Sequence, residues 1–95
     1  MLVFEWDDEK AKANQRDHGV SFEEATEVFD DEFALEEYDV THSKDEPRFN
    51  IIGFSSRRLL LVVYAEREKN MIRIISAWKA SKKYQEAYEK NRKES

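Results

Sequence analysis

The longest apolar run of the chain is Leu59 to Ala65, seven consecutive apolar or aromatic residues rich in leucine and valine. The run is too short to cross a bilayer and is typical of a strand buried on both faces. Met71 to Ala77 predicts a second strand, joined to the first by the charged loop Glu66 to Asn70. Arg48 to Phe54 predicts a strand before them. These segments indicate three successive antiparallel strands with short connections.

A helix is predicted before the strands, from about Asp8 to His18. The carboxylate of Asp7 is placed to cap its first turn, and Gly19 is placed to end it in a left-handed conformation. Every fourth position of this helix bears a polar side chain, namely Lys10, Asn14 and His18. Two interpretations of this stripe remain open: a solvated face with His18 favourably placed at the helix C-terminus, or a functional face.

Ser21 begins a second, amphipathic helix that ends near Asp30. Ser21 and Glu24 have the spacing of a capping box, in which Ser21 accepts from the Glu24 amide and the Glu24 carboxylate reaches back. The acidic cluster that follows lacks the spacing and the glycine of a calcium loop. We therefore interpret Asp30, Asp31 and Glu32 as a solvated turn.

The remaining segments complete a small α+β domain over residues 1–95. Leu2 to Trp6 predicts a short strand, Phe33 to Val40 an uncertain edge strand, His42 to Pro47 a polar loop, and about Ala80 to Asn91 a final helix. The predicted order is β-α-α-(β)-β-β-β-α, with an antiparallel sheet packed by helices. The length supports one hydrophobic core.

Charge is distributed unevenly along the chain. Residues 1–46 contain 4 Lys/Arg and 16 Asp/Glu, a net charge of −12, whereas residues 47–95 contain 12 and 5, a net charge of +7; the sum is −5. This segregation suggests a basic surface for a polyanion and an acidic surface for a basic partner. In the alternative, the two halves interleave in the fold and the asymmetry disappears.

The composition excludes several classes of protein. The chain has no cysteine, so neither a disulfide framework nor a cysteine-based zinc site is expected. Met1 to Trp6 has neither a basic region nor a long apolar segment, so we expect no signal peptide and no membrane anchor. A cytoplasmic protein is the simplest interpretation.

The spacing W-D-x-x-K-x-x-x-N-x-x-x-H-G-V is present as Trp6, Asp7, Lys10, Asn14, His18, Gly19 and Val20. With the later segments RFNIIGFSS, RLLLVVYAER and RIISAWKAS, it resembles the BrnT-type toxin family over nearly the whole chain. The resemblance implies a RelE-like fold, an endoribonuclease that halts translation, and no cofactor. It also implies a ribbon-helix-helix antitoxin that forms a complex with the toxin and makes the DNA contacts through which the pair represses its own promoter.

Metal-free RNA cleavage needs a base, an acid, and cations for the charge that grows on the phosphoryl oxygens. Arginine suits the last role because its planar fork grips two phosphate oxygens. Arg58 and Arg73 are the first candidates and are expected to converge on one open hollow, followed by Arg67 and Lys79. Arg73, inside an apolar run, could alternatively lie on apolar surface with its charge in water. His18 is the better of two histidines for proton transfer.

The chain departs from the family pattern at two positions, where Trp78 replaces an expected arginine and Tyr84 an expected glutamate. Loss of a cation predicts a toxin that is weak, altered in substrate or inactive. Trp78 could stack on an unpaired base or pack against the last helix. The residues expected to bind RNA are Lys10, Lys79, Lys82, Lys83 and Trp78. Besides a ribonuclease toxin, an inactive antitoxin-binding co-repressor and a stand-alone RNA-binding domain remain as alternatives.

Overall fold

The computed structural model describes residues 1–40 and 46–94. The strands are β1 (Val3–Glu5), β2 (Leu35–Tyr38), β3 (Arg48–Phe54), β4 (Leu59–Glu68) and β5 (Met71–Lys79), and the helices are α1 (Asp8–His18), α2 (Phe22–Glu27) and α3 (Lys82–Lys93). A short 3-10 turn, Val28–Asp30, extends α2. The predicted α+β fold is confirmed, and the uncertain strand exists as β2.

The five strands form one sheet in the order β1-β5-β4-β3-β2. Neighbouring strands from β2 to β5 are antiparallel, as predicted. β1 pairs in parallel with β5, with Val3 opposite Met71, so the sheet is mixed rather than antiparallel throughout. The parallel pair is possible because α1, α2 and the strands that follow separate β1 from β5 along the chain.

Both predicted caps of α1 are present. The amide of Lys10 donates to the Asp7 carboxylate at 3.0 Å, and Gly19 adopts φ 69° as its amide donates to the Gln15 carbonyl. α3 begins two residues later than predicted, because the amide of Ala80 donates to the Leu59 carbonyl and prolongs the sheet. Most of the polar loop predicted at His42 to Pro47 lies outside the described residues.

The sheet has two unequal faces. The face that we call the helix face packs against α1 and α2 and buries the larger core, which includes Phe22, Val28, Leu60, Val62, Ile72 and Ile74. The opposite face, which we call the cavity face, buries a smaller core of Ile52, Leu61, Ala80 and Tyr88 beneath α3. Among residues 1–40 and 46–94, α3 packs over that smaller core, and a cavity lies open on the face beside it.

The predicted solvated turn is wrong at Asp31, which anchors α3. Its carboxylate accepts hydrogen bonds from the Tyr88 hydroxyl at 2.6 Å and from the amides of Phe54 and Phe33 at 2.8 and 2.9 Å. Burial acts to raise the pKa of Asp31, but these hydrogen bonds outweigh it and the pKa is lowered. Burial, and then the hydrogen bond to Asp31, raise the pKa of Tyr88 to about 12.

Tyr88→Phe is expected to lower the free energy of unfolding by about 1–2 kcal/mol, because the Asp31 carboxylate loses one of its hydrogen-bond donors. The raised pKa of Tyr88 gives stability that is complete below pH 10, its ordinary pKa, and is lost as the pH rises towards about 12. The variant should therefore show a shallower loss of stability above pH 10 in urea titrations. Parallel stability curves for the two proteins above pH 10 would contradict this anchoring role.

Candidate functional site

The cavity face contains an open cavity of about 320 Å³, which we call the open-face cavity. Residues that line it include Arg48, Asn50, Val63, Ser76, Trp78 and Tyr84. Arg48 and Asn50 are alternate residues of β3 and so share a face, while Tyr84 projects from α3. The cavity therefore combines aromatic walls with a few polar groups, as small-molecule sites do.

A β-bulge in β5 shapes this cavity. Val63 pairs with Ser76 but Tyr64 pairs with Ile74, so Ile75 is an extra residue. Ile74 and Ala77 both pack in the larger core on the helix face, and Ile75 and Ser76 between them both line the cavity. A regular strand would present only one of these two side chains there.

Two of the predicted site residues, His18 and Lys83, each lie against an aromatic ring that lines the cavity. The ring centroid of His18, the last residue of α1, lies 5.6 Å from that of Trp78. The Lys83 ammonium lies 5.6 Å from the ring centroid of Tyr84. Trp78 is half-buried and packs against the smaller core, as one of the two interpretations predicts. It also lines the cavity, and stacking on a base stays a prediction.

Asn14 does not belong to a solvated stripe. It is buried, and its side-chain amide accepts from the Ala77 amide at 3.0 Å and donates to the carbonyls of Ala77 and Val20 at 2.8 and 2.9 Å. β1 pairs with β5 only as far as Arg73, and Asn14 replaces the missing strand at Ala77. The asparagine of the signature is therefore structural, whereas Lys10 and His18 on the same helix are exposed.

Arg58 is held by a carboxylate of α2. Its guanidinium donates to Glu24 at 2.8 and 3.0 Å and to the Gly19 carbonyl at 2.8 Å. Ser55 also donates to Glu24, whose side chain is only 8% exposed. Ser21 accepts from the Glu24 amide as predicted, but the Glu24 carboxylate serves Arg58 and Ser55 instead of returning to Ser21. The hydrogen bond from Arg58 lowers the pKa of Glu24 despite its burial.

Arg58 and Arg73 do not converge. Arg73 lies opposite Ala65, seven positions after Arg58 along the chain, so about 20 Å of strand separates the two backbones. Arg73 pairs with Glu46, and Arg67 pairs with Glu5 at 3.6 Å. Arg73 nevertheless lies close to the open-face cavity, because Arg48, Ala65 and Arg73 form one row across β3, β4 and β5.

Lys79 and Lys82 are exposed near the start of α3, outside the cavity lining. The ion pairs of Arg57, Arg58, Arg67 and Arg73 all join the basic half of the chain to the acidic half. The charge asymmetry is thus partly cancelled in three dimensions, as the interleaving alternative predicts. A basic cluster remains on α3, comprising Lys82, Lys83, Lys90, Arg92 and Lys93.

Sequence reasoning missed Arg48, Asn50 and Ser76. The alternation of Arg48 and Asn50 in a predicted strand was a usable signal, since two polar side chains on one face of a strand are costly to bury. Ser76 gave no signal, because its exposure to the cavity depends on the bulge.

Within residues 1–40 and 46–94, no group of histidine, aspartate and glutamate side chains is arranged to hold a metal ion. No helix in the same ranges is long and apolar enough to span a membrane.

The family of the chain can be identified by comparison with known proteins. The structure is similar to the crystal structure of the Brucella abortus ribonuclease toxin BrnT, with a TM-score of 0.63 and 20% identity, covering 86% of this chain and 100% of that one. No curated protein sequence matches the chain. The family profile of the ribonuclease toxin BrnT of type II toxin-antitoxin systems matches residues 6–83, most of the sequence. The chain therefore belongs to the BrnT family of ribonuclease toxins of type II toxin-antitoxin systems.

Proposed function

We propose that this toxin is a metal-independent endoribonuclease that inhibits translation in the cytoplasm and cleaves RNA across the cavity face. A ribbon-helix-helix antitoxin neutralises it in a hetero-oligomeric complex, and contacts with DNA come from the antitoxin. Membership of the BrnT family supports the toxin and its antitoxin. The observation on which the position of the site depends is the row Arg48, Ala65 and Arg73 beside an aromatic cavity.

The row can supply positive charge where cleavage needs it. Attack by the 2′-hydroxyl places negative charge on the phosphoryl oxygens, and preorganised cations stabilise that charge. Ala65 between them is fully buried, so the phosphate would bind above it, at the partly exposed side chains of Arg48 and Arg73 on the same face. The phosphate would have to displace the Glu46 carboxylate from Arg73 as it binds.

His18, Arg58 and Arg67 receive different roles in this proposal. His18, at the cavity rim against Trp78, is the candidate for proton transfer. Arg58 is a positioning residue, because it binds the Gly19 carbonyl next to His18 and fixes the end of α1. Arg67, half-exposed and paired with Glu5, contacts RNA at most at the periphery. The basic residues Lys10, Lys79, Lys82 and Lys83 add long-range attraction for the RNA backbone.

Removal of either row arginine should strongly reduce cleavage. Arg48→Ala and Arg73→Ala are each expected to lower the rate of RNA cleavage in EDTA by about 10²- to 10³-fold, the usual effect of losing one charge-stabilising donor. Arg67→Ala is the matched control and should change the rate by only a few-fold, since Arg67 pairs outside the cavity. Unchanged cleavage by folded Arg48→Ala and Arg73→Ala proteins would contradict the position of the site.

A second function, that of an inactive co-repressor, is favoured by one specific observation. Arg58, Arg67 and Arg73 each pair with a carboxylate, and Trp78 stands where an arginine was expected. Such a protein would bind the antitoxin without arresting growth. Induction of the toxin alone, followed by purification with a tagged antitoxin, distinguishes the two functions: growth arrest relieved by the antitoxin indicates the nuclease, and unimpaired growth indicates the co-repressor.

A further inference from the structure

We infer that the open-face cavity binds a single unpaired nucleobase, with adenine preferred, stacked on Trp78. This inference rests on the proposed function only in that it takes RNA as the natural ligand. It adds the chemical identity of the group that enters the cavity and the residues that select it.

The size and walls of the cavity fit a flat aromatic ring. Its volume of about 320 Å³ lies at the lower end of the range for small-molecule sites. Trp78 and Tyr84 supply aromatic surface, and Val63 and Ile75 supply apolar surface. Every base has a π-face that can stack on such walls, whereas a hydrated phosphate gains nothing from them.

The charged lining does not favour a phosphate over a base. Arg48 and Asp39 both line the cavity, so their opposite charges leave little net attraction for a phosphate that entered. The Lys83 ammonium and the His18 ring lie outside the lining, against the rings of Tyr84 and Trp78. A nucleotide bound with its base inside would therefore place its phosphates towards the positively charged rim and the row of Arg48 and Arg73.

Asn50 supplies the selectivity. None of the hydrogen bonds among the described residues uses its side-chain amide or the Ser76 hydroxyl, and both side chains line the cavity. A carboxamide offers a donor and an acceptor side by side, which matches N7 and the N6 amino group of adenine. The inference places the Hoogsteen edge of the base against Asn50. On that edge guanine presents two acceptors and each pyrimidine a single polar group, so adenine alone satisfies both groups of the carboxamide.

Trp78 fluorescence provides a direct test that does not depend on cleavage. In Trp6→Phe protein, Trp78 is the sole tryptophan. Single-base 2′-deoxy trinucleotides lack the attacking hydroxyl and cannot be cut, so they serve as the probes. We expect the adenine probe to quench Trp78 fluorescence and to bind about tenfold more tightly than the cytosine, thymine and guanine probes, since a bidentate pair gives discrimination of that order.

Two variants distinguish selective binding from nonspecific attraction. Asn50→Ala should reduce the preference for adenine to about twofold or less while quenching persists. Gln15→Ala removes an exposed amide on α1, away from the open-face cavity, and should leave the preference intact. Absence of quenching, equal affinity for all four probes, or a preference that survives Asn50→Ala would each overturn the inference.

The two proposals can fail separately. If RNA is cleaved in an Arg73-dependent way but no probe quenches Trp78, the base site is wrong and the nuclease proposal stands. If the adenine probe binds selectively but no RNA is cleaved, the base site stands and the nuclease proposal is wrong.

Discussion

Replacing Asn14 by alanine is expected to destabilise the domain by about 3–5 kcal/mol. The substitution leaves the Ala77 amide and the carbonyls of Ala77 and Val20 without their partner in a buried place, and each buried unsatisfied group costs about 1–3 kcal/mol. The better helix propensity of alanine returns only a few tenths of a kcal/mol. Urea denaturation should show a lower midpoint with an unchanged slope.

Two further variants at this position make the result specific. Gln15→Ala changes the neighbouring exposed amide and should shift the free energy of unfolding by less than about 0.5 kcal/mol. Asn14→Asp keeps an acceptor for the Ala77 amide but places a carboxylate against two carbonyl oxygens, so it should be more destabilising at pH 7 than at pH 4. An Asn14→Ala protein as stable as the wild type would show that α1 does not complete the edge of β5.

Breaking the ion pair of Arg58 and Glu24 is expected to lower the free energy of unfolding by a comparable amount, about 3–5 kcal/mol. Either single substitution leaves the remaining charge poorly compensated. Arg58→Ala leaves the Glu24 carboxylate, which is only 8% exposed, without its guanidinium partner. Glu24→Ala leaves a partly exposed guanidinium without its carboxylate partner. Arg58→Ala should therefore be the more damaging of the two. A double-mutant cycle of Glu24 and Arg58, followed by thermal unfolding, measures the coupling between them.

The pH dependence provides an independent check on this pair. The pKa of Glu24 is lowered in the folded state by the hydrogen bond from Arg58. The stability that it contributes is therefore present above the ordinary glutamate pKa of 4.5 and is lost as the pH falls through the lower folded-state value. Glu24→Gln should remove that part of the acid-induced loss of stability, and an unchanged acid dependence would contradict the assignment.

Variants of the same pair distinguish a structural role of Arg58 from a catalytic one. If Arg58 touched the reacting phosphate, Arg58→Lys would lose cleavage while retaining most of its stability. If Arg58 positions α1, stability and cleavage should decline together, and both should decline in Glu24→Ala as well.

Local sequence rules predicted the parts of the fold that depend on local interactions. The caps Asp7, Gly19 and Ser21 act through neighbouring amides, and the apolar runs define β4 and β5 without reference to distant residues. The edge strand β2 was uncertain because its four residues are mostly exposed, so that little apolar periodicity marks it.

The side chains whose roles were predicted wrongly have partners far away along the chain. Asn14 bonds to a residue 63 positions away, Glu24 to one 34 positions away, and Asp31 to one 57 positions away. A motif that contains a histidine and an asparagine suggests chemistry, yet Asn14, Asp7 and Gly19 of the signature serve the fold. The expected convergence of Arg58 and Arg73 failed for the same reason, because their strand places them near opposite ends of one hairpin.

RNA should bind the cavity face rather than the helix face of the sheet, and amide NMR with an uncleavable deoxyoligonucleotide can distinguish the two faces. We expect chemical-shift changes concentrated at Asn50, Ser76, Trp78 and Tyr84 and extending to Arg48 and Arg73. Changes confined to α2 and the exposed surface of α1, with the cavity residues unmoved, would contradict it.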